Sequence, residues 1–219
     1  MTLRTSSRRD FLKTTGLAAA NLTMPSPSGA GEVADRRPNI LMLFTDDQRF
    51  DTIGGLNNPA IRTPHLDGLV RDGVAFTHAH TMGAMCGALC IPSRAMLMTG
   101  RGLFHLDKEG YTLPREHTML PELLRSRGYV TFGTGKWHND PASYARAFAQ
   151  GAKIFFGGMT DQSAVPVHDY DPTGRYRREG QSIERRFSSE LFSDAAICLL
   201  YTSDAADDLL CVDLGGRRI

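Results

Sequence analysis

With 219 residues, 41% hydrophobic and 22% charged, the chain has the balance of an ordinary globular protein that buries a core, not of a disordered tract. Its formal net charge of +1 lacks the strongly basic excess that marks a nucleic-acid-binding surface. Four cysteines are too few for a disulfide scaffold at this length, and they do not fix a redox compartment.

The first elements are not part of a domain. Ser7-Arg8-Arg9-Asp10-Phe11-Leu12-Lys13 resembles a twin-arginine export signal, and a mildly apolar stretch, Gly16 to Leu22, and a Pro/Ser/Gly-rich segment, Pro25 to Gly31, follow it. Residues 1–35 then read as signal and linker, with the twin-arginine export machinery as a partner and a periplasmic or extracellular destination. The bland reading is a basic tail. Small residues at Ala18 to Ala20 and around Ala30 both suit cleavage, so the cut site stays open. The apolar stretch falls well short of the roughly 20 residues that cross a bilayer, so no stable membrane span is expected.

From Pro38 the pattern becomes that of a folded domain. Asn39 to Thr45 is a continuous apolar run ended by Asp46-Asp47, which predicts a buried strand with acids at its carboxyl end. Thr63-Pro64 predicts the start of a helix that runs to Asp72 and stops at Gly73, with Val74 to Thr77 extended after it. A second helix is expected over Thr118 to Arg127, stopped by Gly128, and then a strand from Tyr129 to Thr134 that delivers Lys136-Trp137-His138. Asp140-Pro141 caps a further helix reaching about Gln150, Phe155-Phe156 is short and extended, and Arg186 to Ile197 is helical. Strands alternating with helices, without repeats, predict a three-layer α/β domain whose ligands gather at the strand carboxyl ends.

Between the first two of these helices lies Cys90-Ile91-Pro92-Ser93-Arg94, followed by Ala95-Met96-Leu97-Met98-Thr99-Gly100. Pro92 suits a first helical turn, Ala95 to Met98 is helix-forming and Gly100 suits the stop, so Cys90 falls at a helix N-terminus. Unpaired backbone N–H groups there, with Arg94 one turn on, favour a tetrahedral oxyanion such as sulfate or phosphate. A buried structural thiol would leave Pro92, Ser93 and Arg94 without a reason. A cysteine phosphatase resemblance requires five residues between Cys and Arg, where this chain has three. Zinc held by Cys86 and Cys90 with His78 or His80 lacks a second well-spaced ligand pair.

The last stretch has another character. Cys198-Leu199-Leu200-Tyr201-Thr202-Ser203-Asp204-Ala205-Ala206-Asp207 looks like a translated transposase sequencing adapter, and Cys211 to Ile219 looks like the primer sequence that follows it. The competing reading is an amphipathic C-terminal helix. Two matches in order favour a non-native tail over residues 198–219, leaving 38–197 as genuine domain.

Taken together, Pro38-Asn39-Ile40 leading to Asp46-Asp47-Gln48, Thr63-Pro64-His65-Leu66-Asp67, the Cys90 motif, Thr99-Gly100-Arg101 and Gly135-Lys136-Trp137-His138 resemble the N-terminal part of the formylglycine-dependent sulfatase domain. That family lies in the alkaline-phosphatase-like superfamily, so the resemblance implies an incomplete α/β/α domain. It also implies roles. Asp46, Asp47 and residue 90 would bind Ca²⁺ or Mg²⁺, Cys90 would be oxidised to formylglycine by a maturation enzyme, Arg94 would hold that group, Lys136 would contact sulfate, and His138 would serve as base. A hydrated aldehyde suits the task where a thiol does not: one hydroxyl attacks sulfur and the other later expels sulfate, whereas a thiolate would be left as a stable thiosulfate ester.

The implied activity is hydrolysis of an alkyl, aryl or sugar sulfate, with a sulfated glycan a reasonable exported substrate. A phosphonate or phosphate ester hydrolase of the same superfamily and a non-catalytic glycan-binding relative are the alternatives. The family's second pair of metal ligands and its leaving-group acid match nothing here, so these residues alone are expected to be inactive. His168-Asp169-Tyr170-Asp171 reads as a solvated loop first and a sugar contact second, and Trp137 as packing.

Overall fold

The computed structural model describes residues 38–85 and 87–204. The twin-arginine motif, both candidate cleavage regions, Cys86 and the tail beyond residue 204 lie outside the described residues. Residues up to Phe44 form one unit and those from Thr45 onward another.

In the first unit, residues 38–44 adopt no regular structure, and Ile40, Leu41, Met42, Leu43 and Phe44 are all exposed. This corrects the strand expected over Asn39 to Thr45. Its composition suits a strand, but a strand apolar on both faces persists only between paired neighbours and beneath covering helices. The sheet does not include it.

The second unit is built on a four-stranded mixed sheet in the order β1-β2-β3-β4, with β1 at Phe132–Lys136, β2 at Gln150–Phe155, β3 at Val165–His168 and β4 at Gln181–Glu184. β1 and β2 are parallel, and the later pairs are antiparallel. Among the described residues five α-helices accompany it: α1 at Pro64–Asp72, α2 at Cys90–Thr99, α3 at Leu120–Ser126, α4 at Pro141–Ala147 and α5 at Ser188–Asp204. Parallel strands require a crossover, and α4 supplies it. None of the described helices is long and apolar enough to cross a membrane.

Both faces of the sheet are covered because successive strand residues point opposite ways. Ile154 enters a core with Ala95, Met119, Trp137, Tyr144 and Ala147, while Phe155 joins Val165, Val167 and Leu191 of α5. Helices therefore lie on either side, as the three-layer expectation requires. Tyr144 centres the first core, with its ring edge-on to Trp137 at 5.4 Å and to Phe156 at 5.8 Å; such pairs add about 0.5–1.5 kcal/mol each beyond their buried area. Burial and the neighbouring tyrosines Tyr176 and Tyr170 push the Tyr144 phenol far above its ordinary range.

Several boundaries moved. α1 occupies the predicted span, but the Thr63 side chain makes no cap bond to the helix; its hydroxyl donates to Asp67 Oδ1 at 2.7 Å and accepts from Gly54 N at 2.8 Å. α4 ends at Ala147 instead of about Gln150, because Ala149 and Gln150 already donate to Thr131 O, at 3.0 Å each, as the pairing of β2 with β1 begins. Val74 to Thr77 forms no strand. β3 and β4 were unforeseen: β3 contains Pro166 and β4 is polar, and neither carries the alternation that announces a strand. The His168 to Asp171 segment is not the expected solvated loop throughout, since His168 is 7% exposed and Tyr170 donates its hydroxyl to Phe148 O at 2.7 Å.

Candidate active site

The carboxyl end of β1 meets the first turn of α2. Ser93 N bonds Leu89 O at 3.1 Å as the first helical bond, so Pro92 removes no donor that the helix needs. At the other end Gly100 takes φ 66° and its N–H closes on Met96 O at 2.9 Å, the left-handed stop that a residue with a side chain adopts at a cost. Cys90 thus opens α2, as its motif predicted.

Opposite it, β1 is followed by three residues with different tasks. Trp137 is buried and donates Nε1–H to Asp140 O at 3.0 Å, while Asp140 Oδ1 caps α4 through Ser143 N at 2.9 Å and Oδ2 accepts from Leu113 N at 2.8 Å. Asn139 is buried and donates Nδ2 to Ile91 O at 3.2 Å and to Gly110 O at 2.5 Å. His138 between them sits at φ 64°, an uncommon conformation for a residue with a side chain. Two anchored neighbours hold it there, in the manner of strain kept at a working site.

The outcome is a contact between distant motifs. His138 Nδ1 lies 3.0 Å from Cys90 Sγ. Burial first, then the charges of Lys136 and Arg94, lower the His138 pKa against the opposing effect of Asp46, so the neutral imidazole is favoured. Arg94 is 7% exposed, donates Nη1 to Lys136 O and brings Nη2 to 3.9 Å from Asp46 Oδ1. Its burial lowers its pKa while Asp46 and Cys90 raise it; a guanidinium keeps its charge under such a shift. Lys136 Nζ donates to Asp46 Oδ2.

Five of the six expected residues are therefore linked: Cys90 to His138, and Arg94 and Lys136 to Asp46. Asp47 is exposed in the turn beside Asp46, at φ 49°, and joins none of these bonds. The two carboxylates supply hard oxygens of the kind Ca²⁺ or Mg²⁺ takes. Among the described residues no three His, Cys, Asp or Glu side chains gather to hold a metal. Asn139 was not singled out from sequence, although its place directly after His138 was a signal. Gly158 was missed too. A Cβ there would meet the His138 ring, and nothing local in the sequence announces that contact.

Arg94 and Lys136 set two cationic groups beside Asp46, and the His138 imidazole faces the group at position 90. The sulfatase family model matches residues 38–206. Human N-acetylgalactosamine-6-sulfatase is 32% identical over 171 residues, covering 67% of this chain and 32% of that protein. Steryl-sulfatase of Mus musculus is 37% identical over 127 residues, covering 52% of this chain and 19% of that protein, and arylsulfatase A of Bos taurus is 36% identical over 125 residues, covering 53% and 24%. The chain thus spans a third or less of the length of these relatives, and no solved structure matches it. On its motifs, its mixed α/β fold and the match across its domain, the chain belongs to the sulfatase family.

Proposed function

We propose that this chain carries the nucleophile and part of the cation site of an exported enzyme that hydrolyses a sulfate ester, with Cys90 converted to formylglycine by a maturation enzyme. The observation that carries the reading is the 3.0 Å approach of His138 Nδ1 to Cys90 Sγ. That sulfur stands in for an oxygen on Cβ, the carbon that would carry both hydroxyls of the hydrated formylglycine, so the imidazole is within reach of a proton on such a hydroxyl. Formylglycine supplies, as its hydrate, a nucleophile and a way to release sulfate.

The remaining groups orient and neutralise. Arg94, fixed by Lys136 O and facing Asp46, supplies permanent charge at the foot of α2. Lys136 is a compact cation with three donors for a sulfate oxygen. Asp46 and Asp47, with the group at position 90, would hold Ca²⁺ or Mg²⁺, which would offset charge on the sulfate. Arg8-Arg9 and the residues after them support export. The substrate class is an alkyl, aryl or sugar sulfate.

Turnover is proposed for the whole enzyme carrying this segment, and the 219 residues alone are proposed to be inactive. The exposed run from Ile40 to Phe44 and the short span relative to the relatives support this. Mass spectrometry of the Cys90 peptide from the whole enzyme made in its host tests the mechanism. Formylglycine at position 90 is expected, and an unmodified thiol in an active preparation would sink it. Sulfate and phosphate esters assayed side by side separate sulfatase from phosphate ester hydrolase, and glycan binding without turnover would favour a binding protein.

A further inference from the structure

Gly158 lies between β2 and β3 and meets the imidazole that contacts Cys90. A Cβ built there would stand 2.5 Å from His138 Nε2 and 2.7 Å from Cε1, closer than real Cβ atoms come. The backbone at Gly158 is outside the left-handed region, so conformation does not call for glycine; space does. Nδ1 of the same ring faces Cys90 Sγ at 3.0 Å.

An imidazole pushed at Nε2 has few ways to yield. The backbone of His138 is held at φ 64° between Trp137 and Asn139, both buried and hydrogen-bonded. Rotation of its side chain is the remaining escape, and rotation carries Nδ1 away from position 90. We infer that Gly158 is a positioning residue, whose missing side chain lets the His138 ring stay against the nucleophile. The inference rests on the sulfatase reading above, because it concerns how the base of that reaction is held.

The test is G158A in the whole enzyme. kcat should fall about tenfold or more, toward the loss expected when a positioned acid–base group is misplaced, while KM changes little because Arg94 and Lys136 are untouched. G180A is the control, since a Cβ there meets nothing within 4 Å, and it should keep wild-type kcat. In an H138A background G158A should cost nothing further. If G158A folds poorly because of the clash, H138A/G158A should recover the melting temperature of H138A.

A crystal structure of G158A enzyme with Cys90 left as a thiol gives a readout independent of turnover: Nδ1 should leave hydrogen-bond reach of Sγ. The inference is overturned if Nδ1 stays in reach, or if the G158A loss persists in full when His138 is alanine. Should the wild-type enzyme hydrolyse no sulfate ester, the sulfatase reading fails, and the crystal structure still decides whether Gly158 positions the ring.

Discussion

Lys136 donates its ammonium to the Asp46 carboxylate across ninety residues of sequence, so an acid expected to bind a cation is already paired with one. The same carboxylate faces Arg94 Nη2 at 3.9 Å. An anion entering beside Lys136 competes with Asp46 for that ammonium, and a divalent ion competes with Lys136 for the carboxylate. Lys136→Met in the whole enzyme should lower kcat/KM about a hundredfold or more, the order seen when a charge-stabilising donor is removed. Lys136→Arg should not restore it, because a planar fork cannot replace a point charge where the side chain is only 11% exposed. Calorimetry with Ca²⁺ separates the roles: Asp46→Asn should lose binding, while Lys136→Met keeps it.

Asn139 joins the two halves of the site through Ile91 O and Gly110 O. Asn139→Ala removes two buried hydrogen bonds, each worth about 0.5–1.5 kcal/mol. Denaturant unfolding of the whole enzyme should show a loss of that order. kcat should fall as well, since Asn139 is one of the two anchors holding His138 at positive φ.

How much was legible in the sequence depended on how local the cause was. Cys90 at the start of α2, Gly100 at its end and Asp140 capping α4 follow from capping chemistry within a few residues, and each was read correctly. The grouping of Asp46, Cys90, Lys136 and His138 at one site came from motif resemblance, whereas the Lys136–Asp46 pair was not expected; spacing alone does not bring residues 46, 90 and 136 together. The strand over Asn39 to Thr45 failed because its pattern states what it needs on either side, not whether that is present. β2 begins early because a crossover helix must end where Thr131 O can be reached. Lys153, at φ 50°, lies between two paired residues of β2 where the register with β1 shifts, an irregularity that no periodicity announces.

Asp67 carries an acid-side prediction. The Thr63 hydroxyl first and the Gly55 N–H second, each 2.7 Å from Oδ1, hold its carboxyl below the ordinary value, against a small opposing effect of burial. A folded pKa below the unfolded one stabilises the fold above the unfolded value, and that contribution is lost as pH falls through the folded value. Protection of the Gly55 amide against hydrogen exchange should therefore decline only at pH below the usual carboxylate range. Thr63→Val removes the larger cause and should move the decline to higher pH. An NMR titration of the Asp67 carboxyl carbon checks the order of the two midpoints.

The Tyr144 hydroxyl donates to Gly133 O at 2.7 Å, and two glycines make room for it. A Cβ on Gly133 would stand 2.6 Å from that oxygen, and one on Gly151 of β2 would also collide with it. Gly151→Ala should therefore destabilise the unit by an amount typical of overpacking, about 1–3 kcal/mol. Tyr144→Phe alone should cost about 1 kcal/mol for the lost bond. Removing the hydroxyl opens the space that the new methyl needs, so Tyr144→Phe/Gly151→Ala should be more stable than the sum of the single changes predicts. Recovery should stay incomplete, because Gly133 O lies 3.0 Å from the same Cβ position and belongs to the backbone of β1. Thermal unfolding of the four proteins measures the coupling; strict additivity would mean that the crowding at Gly151 is not set by the tyrosine hydroxyl.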